Sequence, residues 1–465
     1  MRMSISGLLD ISSTAIASQK IAMEVTGTNI ANVNTPGYSR QRAVFDAAGN
    51  VALSANEVLA GVEVSNIERL YDRYLEKQIV DRQQNTGYGE VREDILGQVE
   101  GIINDSAAGG LQDILSRFWN SWEDLASDPT SQVAREGVIS LGDNLASRFR
   151  EAGRGLAGVR QNIQEGIADK IEDVNALARE IGVLNEQVLA AGDGGGRING
   201  LLDRRTEQLK ELSKNINISY YENADGTLDV FLANGMSLLE GGIVRELTTM
   251  DGNIVLRNSP SAALDDYITG GALGGLLELR DITVKGYSDA LDQLAFGIIN
   301  AVNAGHQAGY NAAGNQPDPA ANEYFFQPVT AAADAAQNMS ISAYVAADSS
   351  RIAASAAAGG GDGENARLIG SLKDSLILGG GSVTVGDYYA SLVGRVGFDL
   401  AAANRNAGHN ALVLSSLAAQ REAASGVSLD EEMINLIKYQ AGYNAAGRLM
   451  KVANEMLDLL MQLGS

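Results

Sequence analysis

Apolar residues recur near helical spacing at both extremities of the chain. At the start, Ile5, Leu8, Leu9, Ile16, Met23 and Ile30 line one side, with Ala15 and Ala22 beside them. They predict an amphipathic helix from about Ser4 to Val33, its face interrupted by Ser12, Gln19 and Thr26. At the other end, Ser428 followed by Glu431 is a capping-box pattern, and Asp430 and Glu432 add charge suited to a helix N-terminus. From there Leu429, Met433, Leu436, Gln440, Tyr443, Gly447, Met450, Asn454, Leu457 and Met461 alternate steps of four and three. That is a heptad seam with polar or glycine breaks. Ordering such a helix costs more conformational entropy than these ten positions return against one partner, so further surfaces should cover it.

Between the ends, the pattern stays mostly helical. After Pro129, Leu145, Phe149, Leu156, Val159, Ile163, Ile167, Ile171, Val174, Leu177, Ile181, Leu184 and Val188 predict a long rod, ended by the Asp-Gly-Gly-Gly run from Asp193. Shorter helices are expected at about Gly200 to Lys214, Leu273 to Val302 and Asp387 to Ala424. Residues 216 to 258 instead alternate apolar and polar positions around Asp-Gly and Asn-Gly turns, which predicts a β meander. Residues 306 to 385, rich in Ala, Gly, Asn and Asp, read as an irregular or β-containing insertion.

The first helix runs into Asn29-Ile30-Ala31-Asn32-Val33-Asn34-Thr35-Pro36-Gly37-Tyr38-Ser39-Arg40-Gln41. Pro36 biases Thr35 away from the α region, so the helix stops before it. Proline then glycine at the central positions suits a type II turn from Thr35 to Tyr38. The asparagines can bond nearby backbone groups where the helix frays.

Composition narrows the function. A net charge of −23 argues against a general nucleic-acid binder, which needs a basic face. With no cysteine, disulfides and thiolate metal sites are excluded. The N-terminus lacks a continuous apolar core of the secretory-signal type, and no apolar run is long enough to insert into a membrane. The two histidines, His306 and His409, sit among small polar residues without triad or metal-ligand spacing and read as structural. Asn223, Asp225, Thr227 and Asp229 alternate as at the start of a calcium loop, but the terminal bidentate glutamate and flanking helices are missing, so a hairpin turn is the favoured reading. The glycines after Asp193 lack a lysine-serine pair. Trp119 and Trp122, three apart, read as core packing. No catalytic residue, cofactor-binding residue or metal ligand is assigned, and none of the Asp and Glu residues stands out as a catalytic pair.

The termini carry a further signal. Ser6-Gly7-Leu8 with Asn29-Ile30-Ala31-Asn32, Thr35 and Gly37-Tyr38, together with Val427-Ser428-Leu429-Asp430-Glu431-Glu432 and the helix after it, resembles the signatures of the flagellar rod, hook and hook-associated axial proteins. The stretches 111–149, 199–235 and 270–281 are similar to the hook-associated branch that joins hook to filament. The resemblance implies a mainly α fold with a β insertion: an elongated multi-domain protein with paired N- and C-terminal helices and a helical rod domain. Carried onto this chain, residues 1–60 and 425–465 would form the inner domain, and 61–214, 265–305 and 386–424 the rod. Residues 215–264 would be the β-rich insertion and 306–385 the irregular one. It further implies a secreted, non-enzymatic structural component of the bacterial flagellum, exported by the flagellar type III route without a cleaved signal. Its partners would be copies of itself in a ring, the hook protein, a second junction protein or filament proteins, and an export chaperone at the C-terminal helix. The residues implied in assembly are Leu8, Ile16, Met23, Asn29, Ile30, Asn32, Thr35, Pro36, Gly37, Tyr38 and Arg40, with Leu429, Met433, Leu436, Ile437, Gln440, Tyr443, Met450, Asn454 and Leu457. A hook or rod subunit shares the N-terminal signature and is the nearest alternative; a secreted enzyme or adhesin carried on the flagellum is a different class. Gly442 and Gly447 replace better helix formers of the family, at about 1 kcal/mol each.

Overall fold

A computed structural model describes residues 5–48, 61–104, 110–192, 195–260, 262–359 and 361–463. The run from Asp193 that should end the long rod falls partly outside them, as does Ser4. The chain forms two compact units: Met1–Thr86, Ile171–Gly271 and Asn410–Ser465 make the first, and Gly87–Lys170 and Ala272–His409 the second.

The first unit holds both chain ends. Helix α1 (Ile5–Ala31) leads into strands β1 (Gln41–Ala47) and β2 (Val62–Arg69), an antiparallel pair with a bulge at Val44/Phe45. These strands were not anticipated, because Gln41-Arg42-Ala43-Val44-Phe45 is short and only weakly alternating. Helix α2 (Arg73–Ile103) follows. Helices α3 (Leu111–Ser127) and α4 (Gln132–Ala191) come next, and the last third of α4 belongs to this unit with α5 (Gly196–Asn215). Strands β3 (Ile218–Glu222), β4 (Leu228–Leu232), β5 (Ser237–Glu240) and β6 (Ile243–Val244) form one antiparallel sheet in sequential order. Strands β7 (Leu247–Met250) and β8 (Asn253–Leu256) form a separate pair. The meander therefore lies where alternation predicts it.

Two buried asparagines of α4 dock these strands. Asn175 donates to the Leu247 carbonyl (2.9 Å) and accepts from its N–H (2.8 Å). Asn185 does the same with Leu228 (2.8 and 3.0 Å). Each satisfies backbone groups that the strands would otherwise bury unpaired. The calcium-like turn folds on itself: Asn223 donates to Thr227 and Asp229, and Asp225 accepts from the N–H and hydroxyl of Thr227. Its oxygens are spent on the hairpin. Among the described residues, no group of His, Cys, Asp and Glu is arranged to hold a metal ion.

The second unit contains the second half of α2, α3, the first two thirds of α4, α6 (Gly271–Glu278), a π-helical turn at Leu279–Thr283 and α7 (Val284–Ala308). Short helices α8 (Ala335–Asn338), α9 (Ala343–Ala347) and α10 (Glu364–Gly370) follow, then most of α11 (Val385–Ser425). Helix α12 (Leu429–Leu463) returns to the first unit. The segment 306–385 contributes isolated bridges, such as Phe326 with Ile341, rather than a sheet. Polar anchors fix its course. Asn303 accepts from the N–H groups of Phe325 (3.1 Å) and Phe326 (2.8 Å) and donates to the Phe326 carbonyl (3.0 Å). Phe325 and Phe326 then complete an aromatic core with Phe118, Trp119 and Trp122, all buried, with ring centroids 4.9–6.4 Å apart. The apolar line from Leu145 to Val188 is buried as the periodicity predicts, save Leu177, which is half-buried.

Candidate assembly site at the paired termini

Helices α1 and α12 run antiparallel against each other: Asn29 meets Glu432 at one point, and Gln19 meets Gly442 farther along. The side chains between them differ from the expected seam. Helix α12 buries Glu432, Ala446 and Ala453, while Leu429, Met433, Ile437, Gln440, Tyr443, Asn454 and Leu457 are exposed and Leu436 and Met450 half-buried. Met433 and Ile437 are 57% and 63% exposed. The inward line is one of small residues, displaced by about one position from the apolar seam. The cause lies on α1, whose buried residues are Ser12, Ser18, Ala22, Val25, Thr26 and Asn29. That surface is also covered on another side, where Ser18 donates to the Val62 carbonyl (2.8 Å). Small residues let two such backbones approach, whereas bulky ones would hold them apart. Gly442 is one of these close contacts: a Cβ there would lie 3.0 Å from the Gln19 side chain. Its cost in helix propensity thus has a packing reason. Gly447 faces open space, and nothing in the structure explains it. On α1, Leu8, Ile16, Met23 and Ile30 are half-buried.

The exit from α1 forms the expected turn. The Tyr38 N–H donates to the Thr35 carbonyl (3.2 Å), Pro36 is exposed, and Gly37 has φ +78°. Asn32 caps the fraying end, donating to the Thr28 carbonyl (2.9 Å) and accepting from the Thr35 hydroxyl (3.1 Å). A Cβ on Gly37 would run into the Glu207 side chain. Gly37→Val should therefore destabilise the first unit by about 1–3 kcal/mol through backbone strain alone. Urea unfolding would register this, and an unchanged midpoint would refute it.

Beyond the turn, a chain of polar contacts ties residues 37–41 into the fold. Arg421 donates to the Gly37 carbonyl (2.7 Å) and to Glu76 (2.5 Å), and Lys210 lies 2.9 Å from the other Glu76 oxygen. The Ser39 N–H donates to Asp203 (3.0 Å), which also accepts from Arg69 (3.0 Å). Burial raises the Asp203 carboxyl above its usual range, against the opposing pull of Ser39 and Arg69. Asn29 is the hub. It donates to the Gln41 carbonyl (2.8 Å) and to Glu432 (3.1 Å), and accepts from the Tyr38 hydroxyl (2.8 Å) and the Gln41 N–H (3.0 Å). Arg40 donates to Glu432 (2.7 Å) and Glu431 (2.5 Å). Burial pulls its guanidinium down, but the two carboxylates outweigh this and raise it. Burial, with Asp203 and Glu432 nearby, likewise raises the Tyr38 hydroxyl.

One sequence reading changes here. Glu431 does not close a full capping box: its N–H makes a long 3.5 Å bond to the Ser428 hydroxyl, and its carboxylate turns to Arg40. Asn29, Tyr38 and Arg40 spend their polar groups inside the chain. Periodicity missed Glu432, Glu76, Asp203, Lys210 and Arg421. A run of acids at a helix start reads as dipole compensation, and nothing in the local pattern shows that a distant arginine will bury one of them.

Comparison with known proteins supplies the class. Three family profiles match: flagellar basal body rod protein over residues 9–38, the helical domain of flagellar hook-associated protein FlgK over 96–326, and the C-terminal region of flagellar basal body rod FlgEFG protein over 419–463. Flagellar hook-associated protein 1 of Bacillus subtilis (strain 168) is 28% identical over 495 residues, covering 97% of this chain and 96% of that one. Its counterpart in Escherichia coli (strain K12) is 24% identical over 556 residues, covering 98% and 100%. The structure of the flagellar hook junction protein FlgK from Burkholderia pseudomallei superposes with a TM-score of 0.66 at 16% identity, covering 75% of this chain and all of that one, a likeness of fold. Paired terminal helices flanking a mainly α fold with inserted β strands, matched by these profiles, mark an axial protein of the bacterial flagellum. Within that class, the chain belongs to the flagellar hook-associated protein 1 family.

Proposed function

We propose that this chain is a non-enzymatic structural subunit forming a junction layer between the flagellar hook and later junction or filament proteins. One observation carries this reading. The inward seam of α12 is already filled by Glu432, Ala446 and Ala453, yet Leu429, Met433, Ile437, Tyr443 and Leu457 stand exposed on the same helix. An apolar line of that length on one helix fits contact with further protein surface. The α1–α12 pair with its β1–β2 strands is assigned to the inner domain. Copies of the same chain cover the exposed line after assembly, and an export chaperone covers Leu436, Ile437, Tyr443, Met450 and Leu457 before it. Export uses the flagellar route without signal cleavage. Among the described residues no helix is long and apolar enough to cross a membrane. The match to a hook-associated helical domain over 96–326 favours the junction over a hook or rod subunit.

A deletion strain tests the proposal. Hooks should form and filaments should not, and the wild-type gene should restore filaments. Met433→Asp with Ile437→Asp should leave the chain folded and exported into the medium but cut filament restoration at least tenfold. Missing hooks in the deletion strain would favour the alternative subunit, and full restoration by the double variant would refute the assigned surface.

A further inference from the structure

The terminal helix pair and its β1–β2 strands join the rest of the first unit through two backbone crossings. Residues 70–72 link β2 to α2, and residues 426–428 link α11 to α12. Both crossings meet at one residue. The Arg40 N–H donates to the Ser425 carbonyl (2.8 Å), and the Arg40 carbonyl accepts from the Leu70 N–H (2.9 Å). Two attachments that lie on either side of a single residue make a hinge, since a few residues can absorb a rotation there. Arg421, which donates to the Gly37 carbonyl (2.7 Å), is one helical turn before Ser425 and so sits beside that hinge.

Helix α5 stops the hinge. Asn199, Asp203 and Glu207 follow one another at steps of four, so they share one side of that helix. Asn199 donates to the Ile67 carbonyl of β2 (2.8 Å). Asp203 accepts from the Ser39 N–H on one oxygen (3.0 Å) and from Arg69 on the other (3.0 Å). Glu207 lies against Gly37, where a Cβ would strike it. Asn199 and Asp203 are both buried, so water replaces these bonds poorly. From Asn199 to Glu207 the stripe spans about 12 Å at 1.5 Å per residue. One rigid helix thus grips β2, the segment after the exit turn and the turn itself over a length that two adjacent crossings do not have. We propose that this stripe is a rail that fixes the angle at which α1 and α12 are carried relative to α5, with Asn199 and Asp203 as positioning residues. Its purpose rests on the assembly reading above, where that angle sets the direction in which the exposed line of α12 is offered. Its action lies within one chain and is read without assembly.

The chain has no cysteine, so spin labels go only where cysteines are introduced. Double electron–electron resonance on the free full-length chain uses two labelled pairs. Lys20→Cys with Glu211→Cys, both exposed, reports how α1 stands to α5, and Lys20→Cys with Lys451→Cys, also exposed, reports the α1–α12 pair itself. Each pair should give one narrow distance in the background. Adding Asn199→Ala with Asp203→Ala should at least double the width of the α1–α5 distribution and leave the α1–α12 distribution unchanged. Arg69 keeps the Tyr71 ring at 3.9 Å, so this variant leaves it one of its contacts. Asp203→Ala alone, which retains Asn199 on Ile67, should widen the α1–α5 distribution by a smaller factor and carries the test if the double variant does not fold. Asp203→Asn keeps an oxygen for the Ser39 N–H and should stay narrow. An unchanged α1–α5 width in the alanine variants would overturn the proposal. So would equal broadening of both distributions, which would make the stripe a stabiliser of the helix pair and not a rail. A broad α1–α5 distribution in the background would overturn it as well, since no angle would be fixed. Filament restoration has no part in this reading, so a failure of the junction assignment would be seen separately in the deletion strain.

Discussion

Glu76→Leu is expected to cost the first unit about 3–5 kcal/mol, the usual price of removing one member of a buried ionic cluster. Glu76 is 2% exposed and lies between Arg421 Nε at 2.5 Å and Lys210 Nζ at 2.9 Å. The substitution leaves the half-buried Arg421 with the Gly37 carbonyl (2.7 Å) and the more distant Ser39 hydroxyl (3.5 Å) as acceptors, while Lys210 keeps Glu207 at 2.8 Å. Burial alone would pull the Arg421 guanidinium down, but Glu76 and the acids beyond it outweigh this and raise it, so that carboxylate compensates the burial of the charge. Removing all three charges is different. Glu76→Leu with Arg421→Leu and Lys210→Met should recover most of the lost stability, because an apolar cluster of similar volume avoids the desolvation cost. The triple variant should still exchange the amides of residues 37–40 faster, since the bond from Arg421 to Gly37 is gone. Urea unfolding of both variants with amide exchange on the triple decides it. A loss under about 1 kcal/mol in the single variant would mean that water reaches the site and screens it.

The same cluster marks how far the sequence could be read. The long apolar line of α4, the meander from Ile218 to Leu256 and the turn at Pro36-Gly37 were legible because each rests on short-range rules: a 3.6-residue period, a two-residue period and a restricted dihedral. The terminal pairing was legible as a resemblance. Its packing face was not, since hydrophobic periodicity points to Met433 and Ile437 and says nothing of Gly442, Ala446 and Ala453, whose contribution is their lack of volume. Strands β1 and β2 were missed because their stability comes from resting on other elements: Ser18 of α1 reaches Val62, and Phe45 lies 6.0 Å from the Tyr439 ring of α12. Glu76, Asp203 and Arg421 are far apart in sequence, and each looks like an ordinary solvated charge until the fold brings them together. Residues 306–385 hold their course through side-chain anchors such as Asn303 and Asn365, which leave no periodic trace.

The second unit should lose stability as pH falls from about 6.5 toward 4, and His306 should account for about 3 kcal/mol of the loss. His306 is wholly buried, with Phe325 at 6.0 Å and Tyr344 at 6.5 Å between ring centroids, and among the described residues neither ring nitrogen has a hydrogen-bond partner. Burial pushes its pKa down from 6.5 to about 4. The unfolded chain therefore binds a proton between these values that the folded chain refuses. The stability is fully present above the unfolded value and is withdrawn as pH drops toward the folded one. His306→Leu keeps an apolar side chain in the aromatic core and removes the titration. Its stability relative to wild type should rise by about 3 kcal/mol between pH 7 and pH 4, measured by urea unfolding at several pH values. Carboxylates titrating near pH 4 affect both chains alike and cancel in that difference. Parallel curves for the two proteins across this range would show that the imidazole already accepts a proton in the folded state.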